Sequence, residues 1–204
     1  MRRLTRAVSV GLALLLLGAV VGCRIPRESP RSRYWVLATL GTEVAEAPIA
    51  RGVGVGPIAL PSYLDRAEIV TRATPNRLQV APFDLWGQPL AEAFEQVLSR
   101  NLEALVPGTL AAPLSWRTSR LGLTHRVTVQ VTRFEGDAAG NVCLDAVWTL
   151  EGRGQETPPI ATGRVEIREP VSESGIEPIV AAMSRALGQL SQRVAEPLRA
   201  LAAP

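Results

Sequence analysis

The chain has 204 residues, which is the length of one domain with at most a short appendage, and its 47% hydrophobic and 20% charged residues are typical of a globular protein. All 22 basic residues are arginine, so the lysine of a nucleotide-binding P-loop or a Schiff-base enzyme is missing. One histidine and two cysteines cannot build a zinc finger or an HExxH metalloprotease site. We therefore expect no enzyme, and neither a metal nor another cofactor.

The net charge of +3 comes from the first residues of the chain. Arg2, Arg3 and Arg6 lie in the first six positions, and removing residues 1–22 leaves 19 arginines against 19 acidic residues. A domain that binds nucleic acid usually carries an excess of basic residues. The balanced charge therefore argues against a nucleic-acid partner.

Residues 1–22 predict a signal peptide for export. A positive start is followed by an apolar run from Ala7 to Val21, which is shorter than the roughly 20 residues that a membrane-spanning helix needs. Gly22 and Cys23 close the run and resemble the lipobox of bacterial lipoproteins, in which the cysteine is acylated and becomes the mature N-terminus. On this resemblance we expect Cys23 to be the lipid attachment site. Several acyl chains would then hold the protein stably at a membrane. The alternative is an uncleaved short anchor followed by an ordinary thiol.

The residue after the predicted lipid attachment site bears on localisation. Arg24 follows Cys23, whereas an aspartate at this position commonly retains enterobacterial lipoproteins in the inner membrane. We therefore expect an envelope protein that faces the periplasm and is anchored in the inner leaflet of the outer membrane.

Two further segments follow the signal peptide. Residues 23–33 contain the lipidated cysteine and a polar, proline-containing stretch that predicts a flexible tether. Residues 34–204 are expected to form a single domain. Acylation of Cys23 would leave Cys143 as the remaining thiol, which we expect to pack as a small apolar residue.

The domain combines two hydrophobic periodicities. Alternation or β-branched composition predicts strands at 34–40, 53–58, 68–71, 77–80, 126–131, 142–150 and 161–167, the third and fourth forming a hairpin. A helical repeat of apolar residues predicts helices at 88–106 and from 176 onward. Ser172 or Ser174 is expected to cap the second helix, and Pro197 to kink or end it. Two main helices packed on a mostly antiparallel sheet make an α+β two-layer sandwich.

Four short motifs resemble those of a known family. They are VGVGPIALPSYLDR at 53–66, IVTR at 69–72, NRL at 76–78 and FDLWGQPL at 83–90. Their order resembles the PqiC/YmbA-like auxiliary lipoprotein family of MCE-type lipid transport systems, although Gly87-Gln88 replaces the usual Ala-Glu. With the lipobox and the last helix included, the resemblance spans nearly the whole chain.

The resemblance implies a non-catalytic docking subunit that helps lipids or hydrophobic compounds move between membranes and supports envelope integrity. Its implied partners are a periplasm-spanning MCE-domain protein and an inner-membrane transporter component. A ring-shaped partner would favour a matching homo-oligomeric ring of this lipoprotein. The membrane itself is contacted through the acyl chains on Cys23.

The first motif contains the candidate residues for partner contact, which are Tyr63, Leu64, Asp65 and Arg66. Exposed at a turn, they would form a contact surface. The alternative is structural: Tyr63 fills the core while Asp65 and Arg66 fix the turn.

Two other functions compete with docking. One is an envelope-assembly or integrity lipoprotein that binds another protein or peptidoglycan without a role in transport. The other is a hydrolase, in which His125 would be the histidine available as a general base.

Overall fold

The computed structural model describes residues 30–39, 41, 48–114, 122–152 and 158–201. The predicted signal peptide and Cys23 lie outside these residues. Residues Ser32–Pro204 form one unit in which the described part contains eight strands, two α-helices and one 3-10 turn. The strands are β1 Arg33–Trp35, β2 Arg51–Ala59, β3 Glu68–Thr74, β4 Arg77–Trp86, β5 Thr109–Pro113, β6 His125–Asp137, β7 Asn141–Gly152 and β8 Ala161–Pro170; the helices are α1 Leu90–Leu105 and α2 Ile176–Ala200; and the 3-10 turn spans Ser62–Leu64.

The long strand β6 organises the sheet. One of its edges pairs antiparallel with β7, which in turn pairs antiparallel with β8. The other edge is shared by two strands that both run parallel to it: β2 lies beside residues 125–130 and β3 beside residues 136–137. The 3-10 turn belongs to the segment that joins β2 to β3, so this segment passes alongside the stretch of β6 between the two pairings.

The outer strands extend the sheet beyond β2 and beyond β3. β5 pairs parallel with β2, β4 pairs antiparallel with β3, and β1 pairs parallel with β4. The three antiparallel pairings contain most of the paired residues, so the sheet is mixed but mostly antiparallel. The parallel pairings were not predicted from the sequence.

Both helices pack on one face of the sheet. α1 lies against β2 and β5, whereas α2 lies against β6, β7 and β8, and the two helices contact each other. Phe94 of α1 meets Phe134 of β6 edge to face, with ring centroids 5.5 Å apart, and both side chains are fully buried. Aromatic pairs of this geometry add to the free energy gained by burial. The predicted α+β two-layer sandwich with two main helices is confirmed.

The ends of α2 differ from the prediction. Gly175, with φ of 130°, precedes the helix, and neither Ser172 nor Ser174 caps it with a side chain. A backbone with this φ suits glycine, which has no Cβ to collide with the chain. Pro197 was predicted to kink or end the helix; α2 continues past it to Ala200, so an end at Pro197 is wrong and a kink there stays a prediction. The proline lies in the last turn, where Leu198 is fully buried and holds the helix against the core.

Two strands also differ from the prediction. β1 is limited to Arg33–Trp35, although the sequence predicts a strand over 34–40. β5 was not predicted, because Thr-Leu-Ala-Ala-Pro shows no alternation of apolar and polar residues. Its backbone is held by pairing with β2, which is a tertiary contact and leaves no local signal.

Candidate functional site

A fully buried carboxylate of β6 lies where the segment between β2 and β3 passes alongside this strand. Glu135 accepts hydrogen bonds at Oε1 from Arg72 Nε, at 2.7 Å, and from Arg133 Nε, at 3.3 Å. At Oε2 it accepts from the Tyr63 hydroxyl, at 2.9 Å, and from the backbone N–H of Phe134, at 3.0 Å. A buried charge is tolerated when it is paired and hydrogen-bonded in this way. We call Tyr63, Arg72, Arg133 and Glu135 the Glu135 cluster.

An irregularity in β6 turns this carboxylate away from the helices. Val131 pairs with Ala146 of β7 and Arg133 pairs with Asp145, so Thr132 is an extra residue in β6. Such a bulge reverses the alternation of side chains along the strand. Phe134 therefore faces the helices, and Glu135 faces the opposite side of the sheet, where the segment between β2 and β3 covers it.

Two of the sequence motifs meet at this carboxylate. Tyr63 comes from the first motif and Arg72 from the second. The Arg72 guanidinium donates from Nη2 to the Tyr63 hydroxyl, at 3.3 Å, and lies over its ring at 5.6 Å from the centroid. A cation above an aromatic face adds electrostatic attraction to the hydrogen bonds. The cluster therefore ties Tyr63 of the connecting segment and Arg72 of β3 to the same carboxylate of β6.

The cluster predicts how stability depends on alkaline pH. Burial, followed by the hydrogen bond to the Glu135 carboxylate, raises the pKa of Tyr63 from 10.0 to about 12. The folded protein therefore retains the phenol proton between these pH values, where the unfolded chain releases it. This contribution to stability is present below pH 10 and is lost as the pH rises towards 12.

We expect the free energy of unfolding to fall more steeply over this pH window in the wild-type protein than in the Tyr63→Phe variant. Urea unfolding at a series of alkaline pH values measures the difference, and the difference in phenolate absorbance between the folded wild-type and Tyr63→Phe proteins isolates the contribution of Tyr63 from that of the other tyrosine. Parallel curves for the two proteins would contradict the raised pKa.

The four candidate contact residues beside the Glu135 cluster differ in how far they are exposed to solvent. Leu64 is buried in the core, and Tyr63 is half-buried with its hydroxyl engaged by Glu135. Asp65 and Arg66 are exposed, and Arg66 Nε lies 3.1 Å from Oε2 of Glu68. The turn thus places a core residue and two surface charges side by side.

An open groove adjoins the cluster. Its volume is about 510 Å³, and it is lined by Arg72, Thr74, Pro75, Arg133, Asp137, Ala138 and Ala139. Both arginines in its wall already pair with Glu135. The groove is therefore an open surface next to the Glu135 cluster, and both of its arginines are already paired within the protein.

The surroundings of His125 and Cys143 favour structural roles for both side chains. His125 is half-buried at the start of β6, and its Nδ1 lies 2.9 Å from the Thr124 hydroxyl, a partner that cannot stabilise an imidazolium as a carboxylate would. Burial, helped by Arg51, lowers the pKa of His125, and burial raises the pKa of the Cys143 thiol. Cys143 is buried, as expected for a small packing residue.

Two negative findings concern the described part of the chain. Among those residues, no three His, Cys, Asp or Glu side chains come together as a metal site would require. None of the helices described there has the length and apolar character needed to cross a membrane.

Comparison with known proteins identifies the family. Residues 35–195 match the family model of the ABC-type transport auxiliary lipoprotein component. The chain belongs to this family. As an auxiliary lipoprotein of ABC-type transport, it is a membrane-anchored envelope component whose partners are parts of a transporter. An auxiliary role in transport points to a non-enzymatic function.

Solved structures share the fold of this auxiliary lipoprotein. An uncharacterised protein of known crystal structure superposes with a TM-score of 0.69 and 22% identity, covering 83% of this chain and 99% of that chain. Protein XCC0632 from Xanthomonas campestris, of the DUF330 family, gives a TM-score of 0.66 and 20% identity, covering 83% and 98% of the two chains. Among curated proteins, none matches at a significant level.

Proposed function

We propose that this protein is a lipid-anchored periplasmic docking subunit of an intermembrane lipid transport system that depends on an MCE-domain protein. Its anchor would be the acylated Cys23 in the inner leaflet of the outer membrane, and it would act without catalysis. The family assignment supports an auxiliary role in transport. The four motifs and the lipobox support the finer assignment to the MCE type.

The observation that carries the docking role is the way the Glu135 cluster presents the Asp65–Arg66 turn. Tyr63 and Arg72, on either side of the turn, are both hydrogen-bonded to one buried carboxylate. A turn fixed in this way loses little conformational freedom when a partner binds, so more of the interaction energy appears as affinity. The exposed charges at its tip give the contact electrostatic specificity.

The short length of the tether implies that a longer partner protein spans the distance between the membranes. About ten extended residues span at most about 35 Å. This domain therefore stays close to the membrane that holds its acyl chains. Transport to another membrane then requires a longer component, which is the role we assign to the MCE-domain protein.

Photo-crosslinking in cells tests the docking surface. A photoreactive amino acid at position 65 is expected to capture an MCE-domain protein, and one at Glu173, an exposed position before α2, serves as the matched control. Arg66→Glu is expected to reduce copurification of the MCE protein about tenfold, which corresponds to about 1.4 kcal/mol. Glu173→Arg changes charge to a similar extent away from the turn and should leave copurification unchanged.

The possible results separate the competing functions. Capture of an MCE-domain protein at position 65, but not at position 173, supports the proposal. Capture of another envelope protein or of peptidoglycan fragments at position 65, with no MCE protein recovered, favours the envelope-integrity alternative. Absence of any crosslinked product from position 65 would defeat the docking role of the turn.

A further inference from the structure

An apolar patch lies on the side of β1 and β4 that faces away from the helices. Tyr34 and Val36 are 69% and 66% exposed, and Phe83 is 39% exposed. Tyr34 lies opposite Leu85 in the parallel pairing of β1 with β4. Since side chains alternate along a strand, Tyr34, Phe83 and Leu85 share one side of the two strands, and Val36, directly after β1, continues the alternation on that side. We call Tyr34, Val36, Phe83 and Leu85 the β1–β4 patch.

The opposite side of the same two strands anchors the patch to the domain. Asp84 is buried and accepts a hydrogen bond from the Trp35 indole N–H, at 2.9 Å. Arg33 Nε lies 2.8 Å from the same carboxylate, and Trp86 is buried beside it. Hydrogen bonds and burial on the inner side therefore hold β1 in place, and the patch is a formed surface of the domain.

The outward face of β6 and β8 is different in character. Its exposed positions include Gln130, Arg164, Glu166 and Arg168, which are all polar or charged. Polar residues on the solvent side are the usual pattern for a sheet that is covered by helices on one face. The apolar surface on β1 and β4 departs from this pattern, and large exposed apolar residues that lie together often mark a contact site.

The position of the patch in the chain indicates what covers it. Tyr34 directly follows the tether, residues 23–33, so the patch lies at the point where the anchored segment enters the domain. Residues 24–32 contain three arginines and one glutamate, and Arg33 is paired with Asp84 in β1, so this segment carries a net positive charge although the mature chain as a whole is balanced. Basic segments next to a lipid anchor are attracted to anionic headgroups. This attraction and the short tether both bring the entry point of the domain towards the bilayer.

The side chains of the β1–β4 patch are also of the kind that favours the surface of a bilayer. Aromatic side chains, and tyrosine in particular, favour the interface between headgroups and acyl chains, where the ring is in an apolar region and the hydroxyl remains wet. The acyl chains already hold the protein at the membrane. The patch therefore needs only enough favourable contact to orient the domain, and three exposed apolar side chains can supply this.

We propose that the β1–β4 patch rests in the headgroup region of the bilayer that holds the acyl chains of Cys23, and so fixes the orientation of the domain on that membrane. This inference rests on the proposed lipid attachment at Cys23. With β1 and β4 at the membrane, the domain has one preferred orientation, and the surfaces remote from these strands face the periplasm.

Spin labelling of the full mature protein tests the inference. A nitroxide is attached to Val36→Cys and, as the matched control, to Glu166→Cys on β8, while the buried Cys143 is checked for labelling in the unsubstituted protein. The acylated protein is reconstituted in vesicles of phosphatidylethanolamine and phosphatidylglycerol. Collision rates with oxygen, which concentrates in the bilayer, and with a water-soluble nickel chelate report the depth of each label.

We expect the ratio of oxygen to nickel collisions to be severalfold higher at position 36 than at position 166. Equal, aqueous ratios at the two positions in a protein shown by mass to carry acyl chains would overturn the patch inference and leave the proposed function intact. Dipolar broadening at position 36 that persists on dilution with lipid would show a second copy on the patch and would also overturn it. A mass without acyl chains would overturn both this inference and the proposed anchor.

Discussion

Replacing Glu135 by leucine is expected to lower the free energy of unfolding by about 3 kcal/mol. The change removes the acceptor of the Tyr63 hydroxyl and of the Arg72 and Arg133 guanidinium groups and leaves these donors without their partner. Removing one member of a buried charged pair costs about 3–5 kcal/mol. The side chains of Arg72 and Arg133 are 21% and 30% exposed and regain some water, which places the expected cost at the lower end.

Urea unfolding at neutral pH measures this loss, because the midpoint and slope give the free energy of unfolding. Glu166→Leu on β8 is the matched control, since this glutamate is exposed, and its effect should stay within about 0.5 kcal/mol. A Glu135→Leu protein as stable as the wild type would show that the Glu135 cluster does not hold the segment between β2 and β3.

The same substitution links the cluster to docking. If the Glu135 cluster fixes the Asp65–Arg66 turn, loosening it should weaken crosslinking from position 65 even at temperatures where Glu135→Leu remains folded. Tyr63→Phe removes the hydroxyl that donates to Glu135 and accepts from Arg72, with each hydrogen bond contributing about 1 kcal/mol, and is expected to give an intermediate result. Unchanged crosslinking in a destabilised but folded variant would separate the cluster from partner binding.

Replacing Cys23 by alanine is expected to abolish lipid attachment completely. Acylation needs the cysteine thiol, and cleavage by the lipoprotein peptidase follows acylation, so the variant should accumulate as an unmodified precursor. Intact mass of protein extracted from membranes, together with incorporation of a labelled fatty acid, measures both steps.

Cys143→Ala is the matched control for this experiment, since Cys143 is the other cysteine of the chain and is buried within the domain. It should leave acylation and processing unchanged. A wild-type mature protein whose mass contains no acyl chains would contradict the lipid anchor, and transfer of the label to Cys143 would do so as well.

Periodicity in the sequence was enough to predict the helices and the central strands. The apolar repeat over 88–106 corresponds to α1, and the alternating segments 126–131, 142–150 and 161–167 correspond to β6, β7 and β8. In each of these segments the apolar face packs in the core and the opposite face is mostly exposed or half-buried, although Cys143 of β7 is buried there as well. A buried face leaves a regular apolar repeat, which can be recognised from the order of the residues alone.

The candidate contact turn could be located from the sequence, but its chemistry could not. The motif predicts that Tyr63, Leu64, Asp65 and Arg66 lie together at a turn, whereas the structure separates them into a buried residue, a half-buried phenol and two exposed charges. Glu135 was not predicted as their centre. The sequence does contain one sign of Glu135. The apolar residues of β6 occupy odd positions up to Val131, but the next one, Phe134, occupies an even position, and this break in the alternation turns Glu135 to the opposite face.

The sequence by itself determined the class of the fold, the positions of its main elements and the motifs that mark its family, because these depend on local periodicity and on residue order. Only the tertiary structure decided the parallel pairings of β2, β3 and β5, the burial of Glu135 and the shared exposed side of β1 and β4. Each of these joins segments that are distant in the chain. A pairing of backbones, or a charge neutralised by groups far away in sequence, leaves no periodic signal in either segment.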